Sequence, residues 1–141
     1  MTEFHTQRRV EFSDVDQAGF VHFARFFVFM ETSEHEFLRS LGTSVHALVD
    51  GNEIGWPRLI AQCEYISPAR FEDVLDIQLK VLRKGKTSMT YEFIFNHGDR
   101  LIAKGKIVSA CCVVEAGKKL RAIPIPEIIA SQVQEARANK E

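Results

Sequence analysis

One helix-periodic apolar series constrains this chain more than any other feature. Apolar residues fall at 23, 26, 27, 30, 37, 38 and 41, the spacing of a single helix face, with Glu31, Glu34, Glu36 and Arg39 between them. Val28 and Phe29 widen that face, so the helix must be packed on more than one side. Gly42 stands where a residue just past a helix end belongs. A start just after Val21 predicts about 20 residues, or about 30 Å. No other segment carries an apolar face of comparable width, so the rest of the chain has to wrap this one.

The flanking segments have the other period. Residues 7–13 alternate and run into DVDQAG, a stretch rich in turn formers, so a strand feeds a loop. TSVHALVDGNEIG reads as a short helical turn and loop. After Pro57, Leu59, Ala61, Cys63 and Tyr65 alternate with Gln62 and Glu64. Beyond Pro68, Leu75, Ile77, Leu79 and Val81 alternate with Asp76, Gln78 and Lys80. RKGKTS turns the chain into Met89, Tyr91, Phe93 and Phe95, and HGDR turns it into a run from Leu101 to Glu115. Successive hairpins make the sheet antiparallel. Pro126, Ile128, Ile129 and Val133 mark a short carboxy-terminal helix. The expectation is an α+β domain over residues 1–141, with an antiparallel sheet of about five strands around one long central helix.

Composition narrows the function classes. Eighteen basic against 19 acidic residues leave a net charge of −1, too little for a protein that binds nucleic acid by neutralising phosphates. The apolar run from Phe26 to Met30 has five residues, where a membrane span needs about 20. MTEFHTQRR has no apolar stretch after its basic residues, so it does not read as a secretory signal. Three cysteines, two of them adjacent, suit reduced thiols in a cytoplasmic protein. Eleven Phe against one Trp and two Tyr supply apolar bulk without polar handles, as a dry core or an apolar pocket requires.

The densest polar cluster is Ser13, Asp14, Asp16 and Gln17, closed by Gly19 and followed at once by the Phe-rich helix. If Asp16 is buried against Phe20 or Phe23, desolvation raises its pKa and makes it a base or nucleophile. A helix start near His22 adds unpaired backbone N–H groups that suit an anionic oxygen. Carboxylate plus oxyanion site is a hydrolase layout. An Asp before a helix is also a common cap, and Asp14 fits that capping or loop-shaping role better than Asp16 does.

The stretch VEFSDVDQAGFVHFARFFVFMETSEHEFLRSLG resembles the opening of the 4-hydroxybenzoyl-CoA thioesterase family of hotdog-fold acyl-CoA thioesterases. ISPARFEDVLDIQLKVLRKGKTSMTYEFIF and DRLIAKGKIVSACCVV resemble that family's strands in order, so the likeness covers nearly the whole chain. The resemblance implies that Asp16 is the catalytic carboxylate, attacking the thioester carbonyl or activating water. It implies that Gly19 stands at the loop's exit beside the thioester, and that the backbone N–H of Phe23 is the oxyanion donor. His22 lies one place before the position where one branch of the family carries a histidine, and it receives no catalytic role. Glu31 occupies the place of a helix carboxylate that touches the far end of the acyl group; it could equally be a solvated residue or a partner of His35.

The resemblance also implies that the basic turn of Arg83, Lys84 and Lys86, with Ser88, holds the phosphates of coenzyme A. Without it the turn would read as an ordinary solvated hairpin. Lys118, Lys119 and Arg121 read as surface, and Cys63, Cys111 and Cys112 as inert strand residues. The expected protein is an acyl-CoA thioester hydrolase with no cofactor, acting as a homodimer or tetramer that builds each site from two protomers. The alternatives are a hotdog enoyl-thioester hydratase or dehydratase using His22, and a noncatalytic acyl-CoA or acyl-carrier binding module.

Overall fold

The structure is a computed structural model that describes residues 2–136. Strand β1 (Glu3–Arg9) leads through a single 3-10 turn (Phe12–Asp14) and a loop into helix α1 (Arg25–Ser40). Strands β2 (Ala47–Val49), β3 (Asn52–Gly55), β4 (Arg58–Tyr65), β5 (Val74–Lys84), β6 (Ser88–His97) and β7 (Arg100–Ala110) follow. Two short strands, β8 (Cys112–Val113) and β9 (Arg121–Ala122), precede a one-turn helix α2 (Glu127–Ala130). The main sheet has five strands in the order β1-β5-β6-β7-β4, every neighbour antiparallel. This is the expected sheet around one long helix.

Alternation decides which side of the sheet meets α1. Leu75, Ile77, Leu79 and Val81 of β5 and Met89, Tyr91, Phe93 and Phe95 of β6 are all buried, while their neighbours along the strand are not. From the helix come Phe26, Phe29, Met30, Phe37 and Leu38. The helix lies along β6: Phe26 packs edge-to-face on Phe95 at 5.4 Å, and Phe37 packs on Tyr91 at 5.9 Å. Midway, the close approach of helix and sheet depends on Gly105, because a Cβ there would run into Sδ and Cε of fully buried Met30.

One carboxylate shares this apolar interface. Glu34, on the same helix face, is held by Arg58 at the start of β4 through two hydrogen bonds of 2.7 and 2.8 Å. Burial pushes its carboxyl above the ordinary value, and Arg58 partly opposes that shift.

Two expectations need correction. The helix starts at Arg25 and has 16 residues, about 24 Å. Residues 22–24 form a turn instead, with the Arg25 N–H on the His22 carbonyl and the Ala24 N–H on His22 Nδ1 at 3.2 Å. The segment read as a helical turn after Thr43 is the β2–β3 hairpin, turned by Asp50 and Gly51 at φ 51 and 80. An Asp-Gly pair between apolar residues is a strong local hairpin signal, and here it outweighs the helical look of HALV. Together with β8 and β9 this hairpin forms a second, four-stranded sheet.

Replacing Gly105 by Ala forces Met30 or the helix to move, and overpacking of that kind costs about 1–3 kcal/mol. Urea unfolding should show that loss, and Met30→Ala added to Gly105→Ala should cost less than the sum of the two single changes.

Candidate active site

The loop after β1 is folded by its own polar groups. Asp16 Oδ1 accepts the Ala18 N–H at 2.9 Å, the Gly19 N–H donates to the Asp16 carbonyl, and the Asp16 N–H donates to the Phe20 carbonyl. Gly19 sits at φ 86 with open space where a Cβ would be, so the turn's left-handed backbone, not crowding, calls for glycine there. Asp16 Oδ2 takes no hydrogen bond among the described residues.

The loop is sewn to the chain after β4, fifty residues on. The Val21 N–H donates to the Ala69 carbonyl, and Phe20 bridges Arg70, whose guanidinium lies 4.8 Å from the Phe20 ring centre. Between the two segments opens a cavity of about 380 Å³ lined by Asp16, Phe20, Phe23, Phe26, Tyr65 and the stretch 66–69. The Phe23 N–H donates to nothing among the described residues. Its carbonyl accepts the Tyr65 hydroxyl at 2.9 Å, which fixes the peptide on the other side of that residue. Partial desolvation, with Cys63 adding to it, pushes the Tyr65 phenol up to about 12, so it keeps its proton at neutral pH.

Asp14 sits differently. It is 0% exposed and lies outside the cavity; Oδ1 accepts the Arg25 Nε–H at 2.9 Å and forms an ion pair with Nη2 at 2.7 Å, and Oδ2 accepts the Glu11 N–H at 2.8 Å. Arg8 approaches the same carboxylate at 3.8 Å, with its guanidinium 5.0 Å from the centre of the Phe29 ring. The loop-shaping role expected of Asp14 matches this geometry.

Other sequence-predicted residues are placed as follows. Asp16 is exposed in the single chain, so the expected burial against Phe20 and Phe23 is not achieved by this fold alone, although it does line the cavity. Phe23 lies in the turn before α1 rather than in its first turn. The His22 ring stacks on Phe23 at 4.5 Å and does not line the cavity. Glu31 is exposed midway along α1 and also lies outside the cavity.

The basic turn is at the far end of the sheet. Ser88 pairs with Ala110, whereas Phe95 and Tyr65 both pair with Ala103; seven residues of β6 separate the two ends, about 24 Å. Arg83 and Lys86 are exposed there, and Ser88 is half-buried. Lys84 is committed elsewhere: Nζ donates to the carbonyls of Ala130 and Val133 at 2.8 and 2.7 Å, and its N–H donates to Glu135. It therefore ties down the segment from Ala130 to Glu135, a correction to its place among the phosphate-holding cations.

Sequence reasoning missed Tyr65 and the segment from Ile66 to Ala69. The only local signal was Pro68; what makes these residues part of the site is pairing with a loop distant in sequence. Burial pushes the Cys63 and Cys111 thiols up to about 11, which keeps them protonated and unreactive. Among the described residues no cluster of His, Cys, Asp and Glu could hold a metal ion, and no helix is long and apolar enough to cross a membrane.

The fold and this loop are those of a known class. The profile of the thioesterase-like superfamily matches residues 10–133. An acyl-CoA thioester hydrolase of Escherichia coli, YbgC, is 30% identical over 124 residues, covering 87% of this chain and 91% of that protein. A gentisyl-coenzyme A thioesterase of known structure superimposes with a TM-score of 0.78 at 30% identity, over 89% of this chain and 98% of that one. The 4-hydroxybenzoyl-CoA thioesterase of Pseudomonas sp. strain CBS-3 shares the fold, with a TM-score of 0.74 at 18% identity over 89% and 95% of the two chains. The chain belongs to the thioesterase-like superfamily and is a hotdog-fold thioester hydrolase.

Lys84→Met removes two charge-assisted bonds to the chain end. At about 1.5–3 kcal/mol for a bond to a charged group, discounted for partial exposure, the melting temperature should fall by several degrees in a thermal scan.

Proposed function

We propose that this enzyme hydrolyses an acyl-CoA thioester to a carboxylic acid and free coenzyme A, with Asp16 as its catalytic carboxylate and the Phe23 N–H as its oxyanion donor. One observation carries the reading: Asp16, with an uncommitted carboxylate oxygen, and Phe23, whose N–H has no partner among the described residues, line one cavity whose walls are mostly apolar and aromatic. The thioester carbonyl would sit between them, its acyl group against Phe20, Phe23, Phe26 and Tyr65. Asp16 then either attacks the carbonyl carbon, giving a mixed anhydride that water afterwards hydrolyses to free the acid and restore the carboxylate, or takes a proton from the attacking water and passes it to the departing sulfur. The thiolate of coenzyme A leaves as the C–S bond breaks, and the negative oxygen formed on the way is held by the Phe23 N–H. One such donor is worth about 2.7–4 kcal/mol in the transition state. The hydratase alternative needs a histidine at the cavity, and the His22 ring is turned onto Phe23 instead.

A second copy of the chain completes the site in this reading. Strand β4 is an edge strand, and Leu59, Ile60 and Ile66 beside it are exposed, at 62%, 43% and 50%. An unpaired edge with exposed apolar side chains invites pairing. The register adds direction. The Tyr65 end of β4 lies at the cavity and the Arg58 end lies beside the basic turn. Antiparallel pairing of β4 with the β4 of a second copy would therefore bring Arg83 and Lys86 of that copy toward this chain's cavity. It would also cover Asp16, exclude water and place Glu31 of the second copy at the acyl group's far end. Arg83 and Lys86 would meet the phosphates, while Ser88 shapes the turn by accepting the Gly85 N–H through its carbonyl.

Asp16→Asn should lower kcat by at least about 100-fold on a panel of aromatic and aliphatic acyl-CoAs while substrate still binds in calorimetry, a loss typical of removing one catalytic group. Wild-type turnover by that variant would remove the mechanism. Arg83→Glu with Lys86→Glu should raise KM for CoA esters about tenfold or more, yet leave KM for pantetheine esters, which lack the nucleotide, nearly unchanged. Equal effects on both esters would take the phosphates away from this turn.

A further inference from the structure

We propose that Asp14 is a positioning residue of this site: through Arg25 and the backbone of His22 it sets the Phe23 N–H and the Asp16 carboxylate at a fixed separation. The proposal rests on the thioesterase reading for its activity readout. No atom of Asp14 reaches the cavity, so it has no contact with a thioester. It is bonded instead to four pieces of chain that meet behind the cavity wall. Arg25 is the first residue of α1, Glu11 precedes the 3-10 turn, Arg8 belongs to β1, and the His22 N–H donates to the Asp14 carbonyl at 2.8 Å.

The connectivity makes the consequence specific. Phe23 follows His22 directly, so the peptide that carries the Phe23 N–H starts one atom away from a group Asp14 holds. Asp16 is two residues beyond Asp14 on the other side. The Tyr65 hydroxyl secures the carbonyl of Phe23. The N–H therefore hangs between two fixed points, one of them the main-chain carbonyl of Asp14, which the carboxylate of that residue anchors in turn through Arg25 and the Glu11 N–H. Stability alone would not favour a carboxylate here, since replacing a buried ion pair by apolar side chains of like volume is often neutral or stabilising. What an apolar side chain cannot supply is direction: two guanidinium nitrogens on one oxygen and a backbone N–H on the other fix the loop against the helix.

The test uses Asp14→Asn, Arg25→Met and the double variant of the full chain. It measures kcat and KM on benzoyl-CoA and 4-hydroxybenzoyl-CoA, and amide hydrogen exchange residue by residue. Misplacement by about 1 Å can cost about 100-fold in rate, so each single variant should lose 10- to 100-fold in kcat with KM within about twofold. The double variant should be no more than about twofold worse than the worse single variant, because both act through one contact. Exchange at Asp16 and His22 should quicken while β5, β6 and β7 keep their protection.

Singles with kcat within twofold of the parent, losses that multiply in the double variant, or exchange that quickens evenly through the sheet would each overturn the proposal. Should Asp14→Asn fail to fold, Arg25→Met, whose side chain is one-third exposed, carries the same decision. If the parent turns over no acyl-CoA, the thioesterase reading fails, and the exchange rates at Asp16 and His22 alone decide whether Asp14 positions this loop.

Discussion

Phe29, Met30 and Phe37 on α1 have no exposed surface, and among the described residues no second helix of comparable length covers them. Water can be excluded from so wide a face only by a sheet that curls around it, and every later feature follows from that need. The curl requires strands with one apolar side, which β5 and β6 supply by alternation. It requires a gap in the side-chain layer where helix and sheet come closest, which Gly105 supplies beneath Met30. It also fixes which end of the helix meets which end of the strands, and so leaves the segment before α1 beside the end of β4.

The site is a by-product of that alignment. The loop from Asp14 to His22 sends Val21 into the core, and its polar part is held by a buried carboxylate, two arginines and its own turn bonds. The chain separates two duties that look alike in sequence. Asp14 is taken out of water and fully paired, while Asp16 keeps one oxygen uncommitted at the edge of an aromatic cavity. Two carboxylates two positions apart thus face opposite sides of one loop, one inward to the scaffold and one outward to the cavity.

Much of this was legible from residue order because it depends on short-range periodicity. The helix face, the period of two in β5 and β6 and the turns at RKGKTS and HGDR are local patterns, and the structure has them in place. In β4 the expected inward set is not buried, with Leu59 62% and Tyr65 49% exposed, because that strand lies at the sheet edge and its register shifts after Arg58. The helix start was misplaced because the His22 ring accepts the Ala24 N–H, a side-chain bond that spacing does not reveal. HALV carries helix-compatible residues, and only the Asp-Gly turn that follows makes it a strand. Tyr65 and residues 66–69 were missed because they join the site through Val21 and Phe20, across nearly fifty residues. Lys84 stands among charged neighbours in the sequence; its capture by the carbonyls of Ala130 and Val133 depends on where the segment after α2 folds back.

The distance between Asp16 and the basic turn has an implication for how such an enzyme is governed. In the proposed pairing along β4, a head-to-tail couple of identical sheets would offer two complete stations at once. Such a couple would have no half-competent form: parting the seam would dismantle both stations together, so catalytic capacity would track subunit abundance more steeply than in proportion.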